Sequence, residues 1–172
     1  MKIIDYFEKI KKAYFSTFDL VTPFKIDNKE YLGYGFFQNN AQKFVLVKNA
    51  KLWEVNSFEH IIFIEDNNST EDAVEEGINL IKDYMEYNFV RKGKKYPETN
   101  HMYSFLTIII LTNNHISKEL QYKITNFKFK RNYLLTIRGY SEGRLAIINP
   151  ENNIFISNKA SKSLKDFYIS LF

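Results

Sequence analysis

The sequence predicts one α+β domain spanning residues 1–172, with a mixed, mostly antiparallel sheet packed against N-terminal, central and C-terminal helices. Three observations carry that expectation. Apolar residues recur at helical spacing near residues 3–18 and 69–88, and short β-like runs crowd the intervals around them. The densest apolar run, Met102 to Thr112, follows the second helix, as the far strand of a crossover would. At 172 residues, a domain of this size buries about 70% of the surface its unfolded chain exposes, enough to fold without metal or disulfide.

The first helix is expected over residues 3–18. Ile3, Phe7, Ile10, Tyr14 and Phe18 fall on one stripe, with Ile4 and Phe15 widening it, and Lys9, Lys11 and Lys12 lie opposite. Pro23 and Asp27-Asn28 mark a connection. Glu30 to Gln38 reads as a strand, Asn39-Asn40 as a hairpin turn, and Lys43 to Lys48 as its return. Gly33 and Gly35 share a face and leave room for a helix or ligand to approach the sheet. Further β-like sequence runs from Leu52 to Val55 and from Phe58 to Glu65.

Ser69 is positioned to cap the second helix, with Asp72 three residues on. Val74, Ile78, Ile81 and Met85 form its inner stripe, and the helix should end near Asn88. Met102 to Thr112 is apolar on both alternations and therefore reads as buried on both faces. Residues 117–125 suggest a short helix. The last third reads as a meander: a strand from Phe127 to Gly139, a turn at Ser141–Gly143, and a strand from Arg144 to Asn149. A turn at 150–153, a strand from Ile154 to Ser157 and a closing helix capped by Ser161 complete it.

Composition narrows function. The chain is 45% hydrophobic and 17% aromatic, far from a disordered composition. It has no cysteine, so disulfides, thiolate nucleophiles and cysteine-ligated metals are excluded. Charges run through the first nine residues and no apolar run approaches ~20 residues, so neither a signal peptide nor a membrane span is expected; the economical compartment is the cytoplasm. The net charge of +4 is segregated: residues 53–86 carry −9 and residues 87–172 carry +9. Such a dipole can orient a charged partner or favour self-association.

Candidate sites are sparse. His60 and His101 stand at the starts of two β-like segments, and with Glu54 and Glu59 they offer nitrogen and oxygen ligands to a metal-dependent hydrolase or nuclease. The element order resembles the restriction-endonuclease-like core. The lysine that such nucleases place two residues after an acidic ligand is absent: Asn56, Ile61 and Asn67 follow Glu54, Glu59 and Glu65. Gly139-Tyr140-Ser141-Glu142-Gly143 matches the string of a nucleophile elbow, but strand-like sequence follows it where a helix is required, so it reads as a hairpin turn. Arg91, Lys92, Lys94 and Lys95 form a basic cluster, and Lys128, Lys130 and Arg138 share one face of the expected strand. Together they would serve a nucleic-acid-binding protein. The sequence favours an interaction or regulatory domain without evident catalysis or cofactor, with Tyr87, Phe89, Tyr96 and Tyr103 as the first surface to search for a partner.

Overall fold

A computed structural model describes residues 1–45, 50–66 and 69–172, with side chains described for 1–39, 56–66 and 69–172. Helix α1 (Ile3–Tyr14) leads into strands β1 (Asp19–Val21), β2 (Phe24–Ile26), β3 (Lys29–Tyr31), β4 (Gly33–Val45) and β5 (Ala50–Glu65). Helix α2 (Thr70–Asn79) continues without a break as a π-helical segment (Leu80–Val90) and is followed by β6 (His101–Leu111) and α3 (Lys118–Asn126). Strands β7 (Lys130–Asn132), β8 (Tyr140–Asn149) and β9 (Ile154–Ser157), a 3-10 turn (Lys159–Leu164) and α4 (Lys165–Ile169) close the chain.

The main sheet has the order β1-β4-β5-β6-β8-β7, with β9 also on β8, while β2 and β3 form a separate hairpin. Strands β5, β6 and β8 are parallel neighbours, and the remaining pairs are antiparallel. Each parallel junction is spanned by a helical connection, because parallel strands cannot be joined by a tight turn.

Strand alternation divides the core into two layers. Ile61, Phe63, Ile109, Leu111, Ala146 and Ile148 meet α1 and Tyr168 of α4 on one face. Ile62, Ile64, Leu106, Ile108, Leu145 and Ile147 meet α2, its π-helical extension and α3 on the other. The central strands are covered on both sides, which is why Met102–Thr112 lacks a polar alternation. Burial of one such side chain contributes roughly 1.5–3 kcal/mol.

Several boundaries differ from the sequence expectation. Helix α1 ends at Tyr14, so Phe15 is 86% exposed and Ile4 59%, whereas Tyr6 joins the buried stripe and donates to the Tyr168 carbonyl at 2.7 Å. Asn39 and Asn40 make no turn: β4 runs straight through them, opposite Ser57 and Asn56. Ladder pairing satisfies the backbone there and overrides the local turn preference of asparagine. The expected strand 127–139 shrinks to Lys130–Asn132 and then enters a turn in which Leu134, Leu135 and Thr136 all adopt positive φ (48°, 51° and 73°). Ser141 to Gly143, expected as a turn, form the start of β8. Ser161 does not cap the closing helix: it lies inside the 3-10 turn, which Asn158 caps by accepting from the Ser161 amide at 3.2 Å, and α4 follows with Leu164 at its N-cap and no side-chain cap.

The expected cap of α2 is present, with Ser69 Oγ accepting from the Asp72 amide at 3.3 Å. The stripe Val74, Ile78, Ile81 and Met85 is buried throughout. A Cβ on Gly33 would lie 2.8 Å from Thr22 and 3.1 Å from the Phe7 ring, so the missing side chain lets α1 sit close on the sheet.

Candidate functional site

Beyond the end of the π-helical segment, the α2 face of the sheet is not closed by a helix. A cavity of about 390 Å³ opens there, lined by β4 (Phe36, Gln38), β5 (Asn56, Phe58, His60) and β6 (His101, Ser104). Phe89 and Val90 from the π-helical segment and Lys92, Glu98 and Asn100 from the following loop complete its wall. The volume lies in the range of small-molecule sites, toward its lower end.

The position of His101 depends on an irregularity of β6. Asn56 pairs with His101 and Ser57 with Tyr103, so Met102 is an extra residue on that strand. In a regular strand His101 and Ser104 would point to opposite faces; the extra residue turns both toward the cavity. The bulge is backed by Gly139, whose φ is +71° and whose absent Cβ would lie 1.9 Å from the Met102 carbonyl oxygen.

His101 Nδ1 lies 2.8 Å from the Arg138 carbonyl, and Nε2 lies 2.8 Å from Ser104 Oγ. A carbonyl can only accept, so Nδ1 carries the proton. In the neutral ring Nε2 is then an acceptor, and the Ser104 hydroxyl donates to it. Burial lowers the His101 pKa, opposed by the bond to the Arg138 carbonyl, so the neutral form prevails at neutral pH.

His60 is the second imidazole of the cavity and is 6% exposed. Its ring packs beside Phe36, Phe89 and Tyr34, with centroids at 5.1, 5.2 and 6.1 Å. Nδ1 is 2.8 Å from the Tyr34 hydroxyl. Nε2 bonds to no other described residue. Burial pushes the His60 pKa down to about 3, helped by the positive charge that His101 and Lys92 would present to it. Tyr34 is likewise kept protonated by burial. Because His60 is neutral, Nε2 offers a donor when Tyr34 donates to Nδ1 and an acceptor when Tyr34 accepts.

The structure thus brings His60 and His101 into one cavity, as the parallel pairing of β5 and β6 requires. Glu59 does not join them. Its side chain points to the opposite face, where Oε1 accepts from Thr107 Oγ1 and Arg144 Nη1, both at 2.9 Å. Consecutive strand residues face opposite ways, so Glu59 and His60 cannot ligate one ion. The Glu54 side chain lies outside the described residues. Among the described residues no group of three or more histidine, aspartate or glutamate side chains is arranged to hold a metal.

Several of the basic residues are held by other groups of the protein. Arg91 is held by Glu86, Arg138 donates to the Pro97 carbonyl at 2.8 Å, and Lys94 pairs with Glu98 at 2.9 Å. Lys92, Lys95 and Lys128 are exposed, and Lys130 sits 4.3 Å over the Tyr140 ring. Of the aromatics expected at a partner surface, Tyr87 is 45% exposed, Phe89 lines the cavity, and Tyr103 stacks with Tyr140 on the far face of the sheet.

Ser104 and Tyr34 were not singled out by sequence, whereas Phe89 was expected on a partner surface and lines the cavity instead. Ser104 lies inside an apolar strand with nothing to set it apart, and only the bulge makes it a neighbour of His101. A second cleft, about 720 Å³, lies between α1, the β2–β3 hairpin and the start of α2. It is more polar, and its lysines already pair with carboxylates, Lys29 with Glu76 and Lys11 with Glu8.

A family model described as a domain of unknown function, DUF8052, matches residues 2–170. The chain belongs to this family. No curated protein and no solved structure matches the chain. The match spans both helix layers and the whole sheet, so the cavity lies within the family domain. None of the described helices is long and apolar enough to cross a membrane.

Proposed function

We propose that this domain is a small-molecule-binding module, regulatory in character, and that its ligand occupies the cavity between β4, β5, β6 and the π-helical segment. The observation that carries this reading is His60: a neutral, almost wholly buried imidazole beside three aromatic rings, with one ring nitrogen unpartnered on the cavity wall. Nε2 opens on the cavity and bonds to no other described residue, so a ligand can take that position directly. The π-helical geometry supports the same reading, since π segments recur at functional sites.

The walls define the ligand class. Phe36, Phe58 and Phe89 present ring faces and edges, Asn100 adds an amide that both donates and accepts, and Gln38 Nε2 donates to Asn56 Oδ1 at 3.4 Å along the wall. Lys92 and Glu98 at the rim carry opposite charges. An uncharged, planar heteroaromatic molecule with one hydrogen-bonding edge fits these walls.

Titration of isotope-labelled protein with benzimidazole, followed by NMR, tests the proposal. Resonances of His60, Phe89 and Ser104 should shift together and saturably, and His60→Leu should weaken binding about tenfold. Cavity resonances that stay unmoved up to the solubility limit of benzimidazole would refute it.

A further inference from the structure

Resting on the reading of this cavity as a ligand site, we infer that Ser104 is a nucleophile activated by His101, and that the cavity hydrolyses small neutral carboxylic esters through an acyl–Ser104 intermediate. The motivating arrangement is a three-member relay. Ser104 Oγ donates to His101 Nε2 at 2.8 Å, and His101 Nδ1 donates to the Arg138 carbonyl at 2.8 Å. A hydroxyl within hydrogen-bond reach of a base, with the base oriented by a third group, is the geometry of an activated nucleophile. Here a main-chain carbonyl does the orienting. It fixes the tautomer in which Nε2 is free to accept the serine proton, and it stays bonded to Nδ1–H when the ring becomes charged.

The fold makes particular provision for this relay. His101 and Ser104 share a face only because Met102 is bulged out, and the bulge is accommodated only because residue 139 has no Cβ. The turn that brings the Arg138 carbonyl to His101 contains three consecutive non-glycine residues in left-handed conformations. Each such residue is disfavoured by roughly 1–2 kcal/mol relative to ordinary backbone.

The reaction proceeds in two balanced halves. Ser104 Oγ attacks the ester carbonyl carbon, the carbonyl π electrons move to oxygen, and the hydroxyl proton passes to His101 Nε2. The tetrahedral species collapses, the bond to the alcohol oxygen breaks, and the alcohol leaves with the Nε2 proton. Water then gives a proton to Nε2 as its oxygen bonds the acyl carbon. Collapse releases the carboxylic acid, and the proton returns to Ser104. The sum is ester plus water giving acid plus alcohol, with no oxidant, reductant or metal in the balance.

His60 is the donor for the developing oxyanion. It lies on the same face of the neighbouring strand, one alternation beyond Phe58, the residue paired with Ser104. When Tyr34 donates to Nδ1, the neutral ring presents Nε2–H to the cavity, and a neutral imidazole can stabilise a developing oxyanion without first titrating. The aromatic walls and the volume of about 390 Å³ select a short acyl group on an aryl or small alkyl alcohol.

The test uses the full chain with a fluorophosphonate probe and 4-nitrophenyl acetate, alongside the benzimidazole titration. Wild-type protein should gain one adduct, mapped to Ser104, and release a burst of 4-nitrophenolate of one equivalent per chain. Ser104→Ala should lose adduct and burst while keeping the circular dichroism spectrum and cooperative melting of wild type, which shows that it is folded. His101→Gln should slow acylation by at least about 10²-fold, the usual contribution of a general base. Absence of an adduct, with turnover no faster than in Ser104→Ala, would overturn the inference, and retained benzimidazole binding would leave the binding site standing. An adduct at Ser104 without benzimidazole binding would keep the nucleophile and remove the heteroaromatic ligand class.

Discussion

Arg91 grips Glu86 with both arms of its guanidinium, Nε to Oε1 at 2.8 Å and Nη2 to Oε2 at 2.9 Å, and the carboxylate is only 1% exposed. Arg131 Nη1 at 3.1 Å and Tyr133 Oη at 2.8 Å complete its shell. This pairing fastens the π-helical segment to the loop after it, both of which wall the cavity, and also to β7 and the turn that follows it. It also takes Arg91 out of the basic surface that sequence suggested. Arg91→Ala should destabilise the fold by about 3 kcal/mol, near the lower end for breaking a buried pair because two partners remain. Urea denaturation measures this, and Arg91→Met combined with Glu86→Met should recover part of the loss. An Arg91→Ala midpoint equal to wild type would mean that the pair contributes nothing.

His60 should make stability depend on pH. Its folded pKa is lowered to about 3 from an ordinary value of 6.5, so the unfolded chain takes up a proton that the native state refuses. The contribution is fully present above pH 6.5 and is lost as pH falls toward 3. Between pH 7 and pH 5, wild type should lose about 2 kcal/mol more than His60→Gln. Parallel denaturation curves for the two proteins at both pH values would contradict the buried neutral ring.

Gly139→Ala places a Cβ 1.9 Å from the Met102 carbonyl oxygen on a backbone with φ +71°. It should destabilise by more than the roughly 1–2 kcal/mol of the left-handed conformation alone, because the bulge must also move. NMR should show His101 and Ser104 resonances displaced, whereas Gly93→Ala, which meets only the end of the Tyr87 side chain at 3.7 Å, should leave them in place.

Asn158 is 1% exposed and every polar group of its side chain is used. Oδ1 accepts from the Leu145 and Ser161 amides and from Ser161 Oγ, and Nδ2 donates to the Phe127 and Gly143 carbonyls. Asn158→Leu orphans several of these, at about 1–3 kcal/mol for each buried group. A large drop in melting temperature is expected, and a loss of only a few degrees would show that the backbone rearranges to satisfy itself.

Sequence alone determined the α+β class, the two helical stripes and the buried strand that follows the second, because hydrophobic periodicity is a local property that tertiary contacts reinforce. Val74, Ile78, Ile81 and Met85 could be placed on one face without knowing what they touch. It also brought His60 and His101 near each other, since both begin segments whose parallel pairing the crossover implied. Only the tertiary structure decided that Asn39 and Asn40 lie in a strand, that Glu59 faces away from His60, and that Met102 bulges so that His101 meets Ser104. Those outcomes depend on ladder pairing and register between residues distant in the chain, and a single shift of register exchanges the two faces of a strand.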